Sequence, residues 1–308
     1  MPSPHGTMLL ITNPTAGRGK DPVLPRLTRA LGQRGLAYEV AETRGPGHAI
    51  ALARDWVTIH GNRYVVAVGG DGTVHEVVNG LIDPDAGPRN PDAVLGIVAG
   101  GSGSDLCRTF GLDRDPEIGA RHLDGDALFP IDAGRISYIG RDGVATRRVF
   151  ANIAELGFGA DVTDRANGLP RQLGASKYVI STLFSLRRLR PTNTTVTVDH
   201  TSISEPISWV VVANGQFFGG GTKIAPRALP DDQLFNVQIW RGGRRQLLGP
   251  LTKSRTGEHL ASPDVREYQS ATVKVDAQTP LLIEADGEVL GTTPAEFDLL
   301  PRAINLKI

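Results

Sequence analysis

Apolar positions in the first part of the chain come in short continuous runs that alternate with stretches of helical spacing. Met8 to Thr12 reads as a buried strand, Val23 to Gly35 as a helix, and Ala37 to Glu42 as a second strand. Gly47 to His60 carries apolar side chains at Ile50, Ala53 and Val57, again at roughly helical spacing. Tyr64-Val65-Val66-Ala67-Val68 is a β-branched run of the kind found in strands covered on both faces. Val74 to Leu81 then reads as a helix, Gly87 to Pro91 as a loop, and Leu95 to Val98 as another buried strand. This βαβαβ rhythm predicts an α/β N-terminal domain, with helices on both sides of a parallel sheet.

The texture changes near Ile131. Val149 to Asn152, Thr194 to Asp199, Trp209 to Ala213, Leu234 to Trp240, Ala271 to Val275 and Leu281 to Ala285 are short β-rich runs separated by turn residues. Only Lys177 to Leu189 looks clearly helical, so the pattern predicts a mainly antiparallel β-sandwich as the C-terminal domain. The expected division is residues 1–131 and 132–308, with the last residues free to return to the first domain. Trp209 and Trp240 sit in strands and are expected in the core.

Composition narrows the classes. A length of 308 residues suits two domains, and 40% hydrophobic with 21% charged residues is globular. The formal net charge is zero, so no global field favours nucleic acid, and none is expected as a partner. Cys107 is the single cysteine, which excludes an internal disulfide or a cysteine-based zinc site and fits a reducing compartment. Met8 to Ile11 is far shorter than the ~20 apolar residues of a spanning helix and lacks a basic lead-in, so a cytoplasmic location is expected.

Chemistry concentrates in the glycines, which number 37 and cluster. Val68-Gly69-Gly70-Asp71-Gly72-Thr73 runs from a buried strand straight into a helix. Without Cβ atoms, the glycine amides approach an anion closely, and the helix adds its positive end. Asp71 can orient a Mg²⁺-bound water or accept a proton, and Thr73 can cap the helix or bond a phosphate. The plainer reading is a tight turn with Asp71 or Thr73 as N-cap. The segment is neither a P-loop, since Lys20 is followed by Asp21, nor a G-x-G-x-x-G dinucleotide fingerprint. Thr12 to Lys20 and Gly100 to Asp105 are two more glycine-bearing loops after strands, bringing Asn13 and Ser102 to the same sheet edge.

These motifs, with Gly69 to Leu81, Ile131 to Gly134, Asn152 to Gly159, Asn214-Gly215, Gly219 to Gly221 and Asp286-Gly287-Glu288, resemble in order the diacylglycerol kinase catalytic-domain family. That family includes bacterial lipid kinases, sphingosine kinases and ceramide kinases. Two residues depart from the bacterial pattern: Ser102 stands for Thr and Ser104 for Asn. The resemblance implies an NAD kinase/diacylglycerol kinase-like nucleotide domain and transfer of the γ-phosphoryl of Mg-ATP to a lipid hydroxyl. It implies nucleotide contacts at Asn13, Thr43, Gly69, Gly70, Asp71, Gly72, Thr73, Val74, His75 and Ser102, with Asp71 also catalytic through the Mg²⁺. It makes Glu288 or Asp286 the base, Glu288 being preferred, although Asp-Gly-Glu alone is an ordinary hairpin turn. It also implies a structural Mg²⁺ on Asp232 and the carbonyls of Leu229 and Leu234, in a segment where Gln233 stands for the family's glycine.

A lipid substrate implies transient visits to a membrane surface, hence a peripheral location, and a homodimer is also among the expected partners. Arg187, Arg188 and Arg190 end the Lys177 to Leu189 helix, where they suit either anionic headgroups or the helix dipole; Arg241, Arg244 and Arg245 share that ambiguity. The rival readings are an NAD kinase-like small-molecule kinase and a nucleotide-binding module without catalysis.

Overall fold

The computed structural model describes residues 3–14, 23–100, 104–174 and 176–308. They form two compact units: residues 1–133, 149–151 and 300–308 in one, residues 134–148 and 152–299 in the other.

The first unit begins with β1 (Met8–Thr12), α1 (Val23–Gln33), β2 (Tyr38–Glu42), α2 (His48–Thr58), β3 (Tyr64–Gly69) and α3 (Asp71–Leu81). After a small hairpin of β4 (Ile82–Asp83) and β5 (Gly87–Pro88) come β6 (Val94–Ala99), α4 (Asp105–Thr109) and α5 (Pro116–His122). β1 pairs with β2 and β3, and β3 with β6, all in parallel. Alternate side chains point to opposite faces, and both faces are covered. Leu9, Ile11, Val65, Ala67, Leu95 and Ile97 join the core with α2 and α3, whereas Met8, Leu10, Tyr64, Val66, Val94 and Val98 join another with α1. Double-sided burial explains why these strands read as continuous apolar runs.

Three local readings need correction. α3 starts at Asp71, three residues before the expected Val74, so Asp71, Gly72 and Thr73 form its first turn and are not a loop ahead of it. Gly87 begins β5, part of the hairpin whose turn is closed by Asp83 Oδ1 accepting the amides of Asp85 and Ala86. Val149 to Ala151, read with the second domain, belongs to the first unit. Asn79 holds it there, accepting the Val149 amide at 3.0 Å and donating to the Val149 carbonyl at 2.8 Å.

The second unit draws on β7 (Leu128–Gly140), β8 (Ala145–Phe150), β9 (Ile153–Gly157), α6 (Phe158–Asn167), α7 (Ser176–Arg188), β10 (Thr192–Val198) and β11 (Thr201–Ala213). It continues with β12 (Phe235–Arg241), α8 (Arg244–Lys253), β13 (Val265–Ser270), β14 (Thr272–Ala277), β15 (Leu282–Ala285) and β16 (Glu288–Lys307). Antiparallel pairs link β13 to β12, β12 to β11, β11 to β10, β10 to β14 and β14 to β16. β9 pairs antiparallel with both β11 and β15. Trp209 and Trp240 pack in its core with ring centroids 4.7 Å apart. α6 and α8 depart from the expectation that only Lys177 to Leu189 is clearly helical, and α8 carries Pro250 inside it. The far end of β16 belongs to the first unit, where Asn305 and Leu306 pair in parallel with β6.

Gly80 shows how tightly α3 is seated. A Cβ there would lie 2.6 Å from the Ile50 carbonyl oxygen and 2.6 Å from Ala53 Cβ, both on α2. Gly80→Ala is therefore expected to lower stability despite its better helix propensity. Overpacking against backbone costs about 1–3 kcal/mol, against a gain of about 1 kcal/mol from propensity. Urea denaturation checks this; equal or higher stability of the variant contradicts it.

Candidate active site

In the first unit the carboxyl ends of β1, β2, β3 and β6 carry the candidate nucleotide residues. Asn13 follows β1 directly, and the Thr43 amide donates to the Thr12 carbonyl at 2.8 Å, which holds the post-β2 segment against β1. Glu76 continues that work. Its two carboxylate oxygens accept the amides of Gly47 and Ala49, each at 3.0 Å, and so cap the start of α2.

At the start of α3 the amides of Thr73 and Val74 both donate to the Gly70 carbonyl. Those of Gly70 and Gly72 have no partner among the described residues. Gly72 is exposed and has open space where a side chain would stand. The result is a helix N-terminus with uncommitted donors and open space at Gly72, which suits an anion. His75 is 1% exposed, its ring nitrogen 3.3 Å from Asn79 Nδ2, so its side chain belongs to the interior.

Asp71 is placed differently from a free metal-facing carboxylate. One oxygen accepts the Ser104 amide at 2.9 Å and the other the Asp105 amide at 2.8 Å. The Gly100 amide also donates to the Gly69 carbonyl at 2.8 Å, and a Cβ on Gly100 would lie 3.1 Å from Gly69 Cα. The GGDGT turn and the ends of the following glycine segment are thus stapled together. Ser102 lies outside the described residues.

In the second unit Asp286-Gly287 is a two-residue hairpin turn, both residues having positive φ (50° and 93°), with Ala285 facing Glu288. Asp286 Oδ1 accepts the amides of Asn152 and Ile153, each at 3.0 Å, and its own amide donates to the Ile153 carbonyl at 2.9 Å. The Asn152 carbonyl accepts the amides of Asn214 and Gly215, and its side chain donates to the Phe217 carbonyl. Three separated motifs thus meet at one knot. Glu288 is half-buried, and its carboxylate makes no hydrogen bond or ion pair among the described residues. Burial pushes the nearby Tyr138 phenol upward and the Arg148 guanidinium draws it down, with the Asp142 charge and then that of Glu288 adding smaller upward pushes.

Two residues absent from the sequence reading stand behind this turn. Glu155 on β9 pairs directly with Glu284 on β15, and Glu284 accepts the Gly287 amide. Glu155 is 1% exposed, and neither of its oxygens has a donor among the described residues. Burial first, and the Glu284 charge second, push its carboxyl well above the usual carboxylate range. A proton shared by the pair supplies the missing donor. Directly opposed acids inside a sheet are visible only once strand register is known.

Leu229, Asp232 and Leu234, the expected metal ligands, share one turn. The Leu229 carbonyl accepts the Asp232 amide at 3.4 Å and Asp232 Oδ1 accepts the Leu234 amide at 3.0 Å. No group of three acidic, histidine or cysteine side chains able to hold a metal exists among the described residues. Gln233 nevertheless keeps the left-handed conformation, φ 63°, that a glycine would take there.

A parallel α/β unit with an open glycine-lined helix start, together with a β-sandwich-like unit presenting an acidic hairpin, defines the class of NAD kinase- and diacylglycerol kinase-like phosphotransferases. Residues 7–136 match the diacylglycerol kinase catalytic domain, and residues 152–308 match the YegS C-terminal NAD kinase beta sandwich-like domain. The chain belongs to this family of lipid kinases. It is 30% identical to a diacylglycerol kinase of Mycobacterium tuberculosis, over 98% of this chain and 94% of that protein. It is 28% identical to the diacylglycerol kinase of Bacillus subtilis, over 96% of this chain and 94% of the relative. Among solved structures, a diacylglycerol kinase from Bacillus anthracis superposes with a TM-score of 0.71 at 18% identity, covering 98% and 96% of the two chains. Yeast NADH kinase shares the fold more distantly, with a TM-score of 0.51 at 12% identity over 97% of this chain and 82% of its own. No helix among the described residues is long and apolar enough to cross a membrane.

Removing the Asp71 staple orphans two amides, so Asp71→Ala should cost about 1–3 kcal/mol of stability by urea denaturation, with Asp71→Asn losing less. Unchanged stability in the alanine variant contradicts the staple. For Glu155 the sign follows from its raised carboxyl. The folded state holds a proton that the unfolded state releases above pH 4.5, so stability from this site is complete below 4.5 and declines as pH rises. Glu155→Gln supplies a permanent donor to Glu284. It should exceed wild type in stability at pH 8, the gap shrinking toward pH 5 by up to about 1.4 kcal/mol per pH unit. A gap independent of pH refutes the shared proton.

Proposed function

We propose that this protein transfers the γ-phosphoryl group of Mg-ATP to the hydroxyl of a diacylglycerol-like lipid. The observation that carries this reading is the start of α3, where the Gly70 and Gly72 amides are unspent among the described residues and Gly72 is exposed with open space beside it. Those donors suit phosphate oxygens, and the dipole of an eleven-residue helix lies behind them. Asn13 and Thr43, on the neighbouring strand ends, are the further candidates for contact with the nucleotide.

Mg²⁺ arrives with the nucleotide as part of the substrate and neutralises charge on its phosphates. In this reading Asp71 is the residue that would orient a Mg²⁺-bound water beside those phosphates. Glu288 takes the hydroxyl proton as the lipid oxygen bonds to phosphorus and the bond to the ADP oxygen breaks. Its lack of a competing partner makes it a better base than Asp286, whose Oδ1 already accepts two amides. The diacylglycerol kinases among the relatives support the acceptor class.

Incubation with labelled ATP and mixed lipid dispersions is expected to yield labelled phosphatidic acid or a related lipid phosphate. Gly72→Ala fills open space and should melt like wild type while KM for ATP rises at least about tenfold, as a methyl group displaces the phosphate. Glu288→Gln should lower kcat about a hundredfold or more with ATP binding retained. No lipid phosphate from any lipid class overturns the proposal, and phosphorylation of NAD in its place supports the rival small-molecule kinase.

A further inference from the structure

Behind the Asp286–Gly287 turn a line of contacts runs from the core of the second unit to the residue beside Glu288. β9 lies between β11 and β15, so Glu155 has Val211 as its partner on one side and Glu284 on the other. Glu155 shares a face of β9 with Ile153, which packs among Phe158, Trp209 and Val211. Only the missing side chain of Gly159 leaves room for the carboxylate. A Cβ there would overlap Glu155 Oε2 and lie 2.7 Å from Trp209 Nε1.

Glu284 is 5% exposed and accepts the Gly287 amide, the N–H one residue before Glu288. That amide has no other acceptor among the described residues. Glu155 receives no amide at all. A carboxylate bonded to an amide keeps its charge better than one in apolar surroundings, so Glu155 carries the proton of the pair and donates it to Glu284. Other charges on the neighbouring elements are engaged elsewhere. On α6, Asp161 pairs with Arg165 and Asp164 with Arg141, while Asp286 Oδ1 accepts two amides and Glu288 is paired with Ala285 across the hairpin. On the apolar side His259 stacks on Trp240, which packs on Trp209, and burial holds its ring down at about 4.

We propose that Glu155 is a positioning residue for phosphoryl transfer: by donating a hydrogen bond to Glu284 it fixes the carboxylate that grips the Gly287 amide, and through that amide the aim of Glu288. The proposal rests on the reading of Glu288 as the base. Loss of the shared proton leaves two opposed anions in an apolar setting. Separation relieves their repulsion and withdraws Glu284 from Gly287. The grip is therefore complete while Glu155 keeps its proton and is lost as pH rises through the raised carboxyl.

The test follows two readouts on the full chain from neutral to alkaline pH: kcat for lipid phosphorylation, and the Gly287 amide resonance in glycine-labelled protein. In wild type the resonance should shift in one alkaline step, and kcat should fall about tenfold through the same step with KM for ATP level. Glu155→Gln keeps a donor at every pH and should lose both the step and the fall. Glu155→Leu has no donor and should hold kcat about tenfold down throughout, with no step. A residue that serves stability alone would move the melting temperature and leave both profiles as they are. The proposal is overturned if the wild-type resonance ignores pH, or if the alkaline fall persists in Glu155→Gln. A titrating Gly287 amide without lipid phosphate from wild type keeps the clamp and sinks the kinase reading. Lipid phosphate with a flat Gly287 resonance does the reverse.

Discussion

Backbone amides held by a carboxylate are the constraint on which both candidate sites depend. A carboxylate that accepts two amides from another segment acts as a rigid staple, because neither amide finds an equivalent partner elsewhere in a desolvated turn. Asp71 does this for Ser104 and Asp105 in the first unit, and Asp286 does it for Asn152 and Ile153 in the second. The glycines can then stay bare: the loops keep their shape through the acids and not through side-chain packing of their own.

This division of labour sorts residues that look alike in sequence. Asp286 and Glu288 are two positions apart on one turn, yet the first is committed to holding the turn and the second keeps its carboxylate clear of hydrogen bonds and ion pairs among the described residues. Glu284 and Glu155 are tied up in a third way, as an opposed pair behind the turn whose Glu155 carboxyl burial keeps protonated well above its usual range. Four acids within one small region thus have separate tasks, set by exposure and by which amides are in reach.

The departures from the family pattern are instructive for the same reason. Ser104 stands where bacterial relatives have Asn, and Gln233 where they have Gly, and both adopt left-handed backbone, φ 56° and 63°. Asn and Gly tolerate that region readily, whereas Ser and Gln pay about 1 kcal/mol for it. At Ser104 the amide bond to Asp71 offsets that cost.

Much was legible directly. The continuous apolar runs at Met8 to Thr12, Tyr64 to Val68 and Leu95 to Val98 declare buried strands because both faces of the sheet are covered, and period-2 alternation vanishes. Glycine clustering marks the start of α3 because only a residue without Cβ leaves amides open to an anion. What the tertiary structure decided was partnership. That Asp71 reaches Ser104, that Asn79 recruits Val149, that Glu155 opposes Glu284, and that the serines of α7 face inward while Leu183 and Phe184 face out are all products of register and packing between segments. Local propensity records what a residue favours along its own chain; which distant backbone it meets depends on how the elements stack, and that information is spread over the whole sequence.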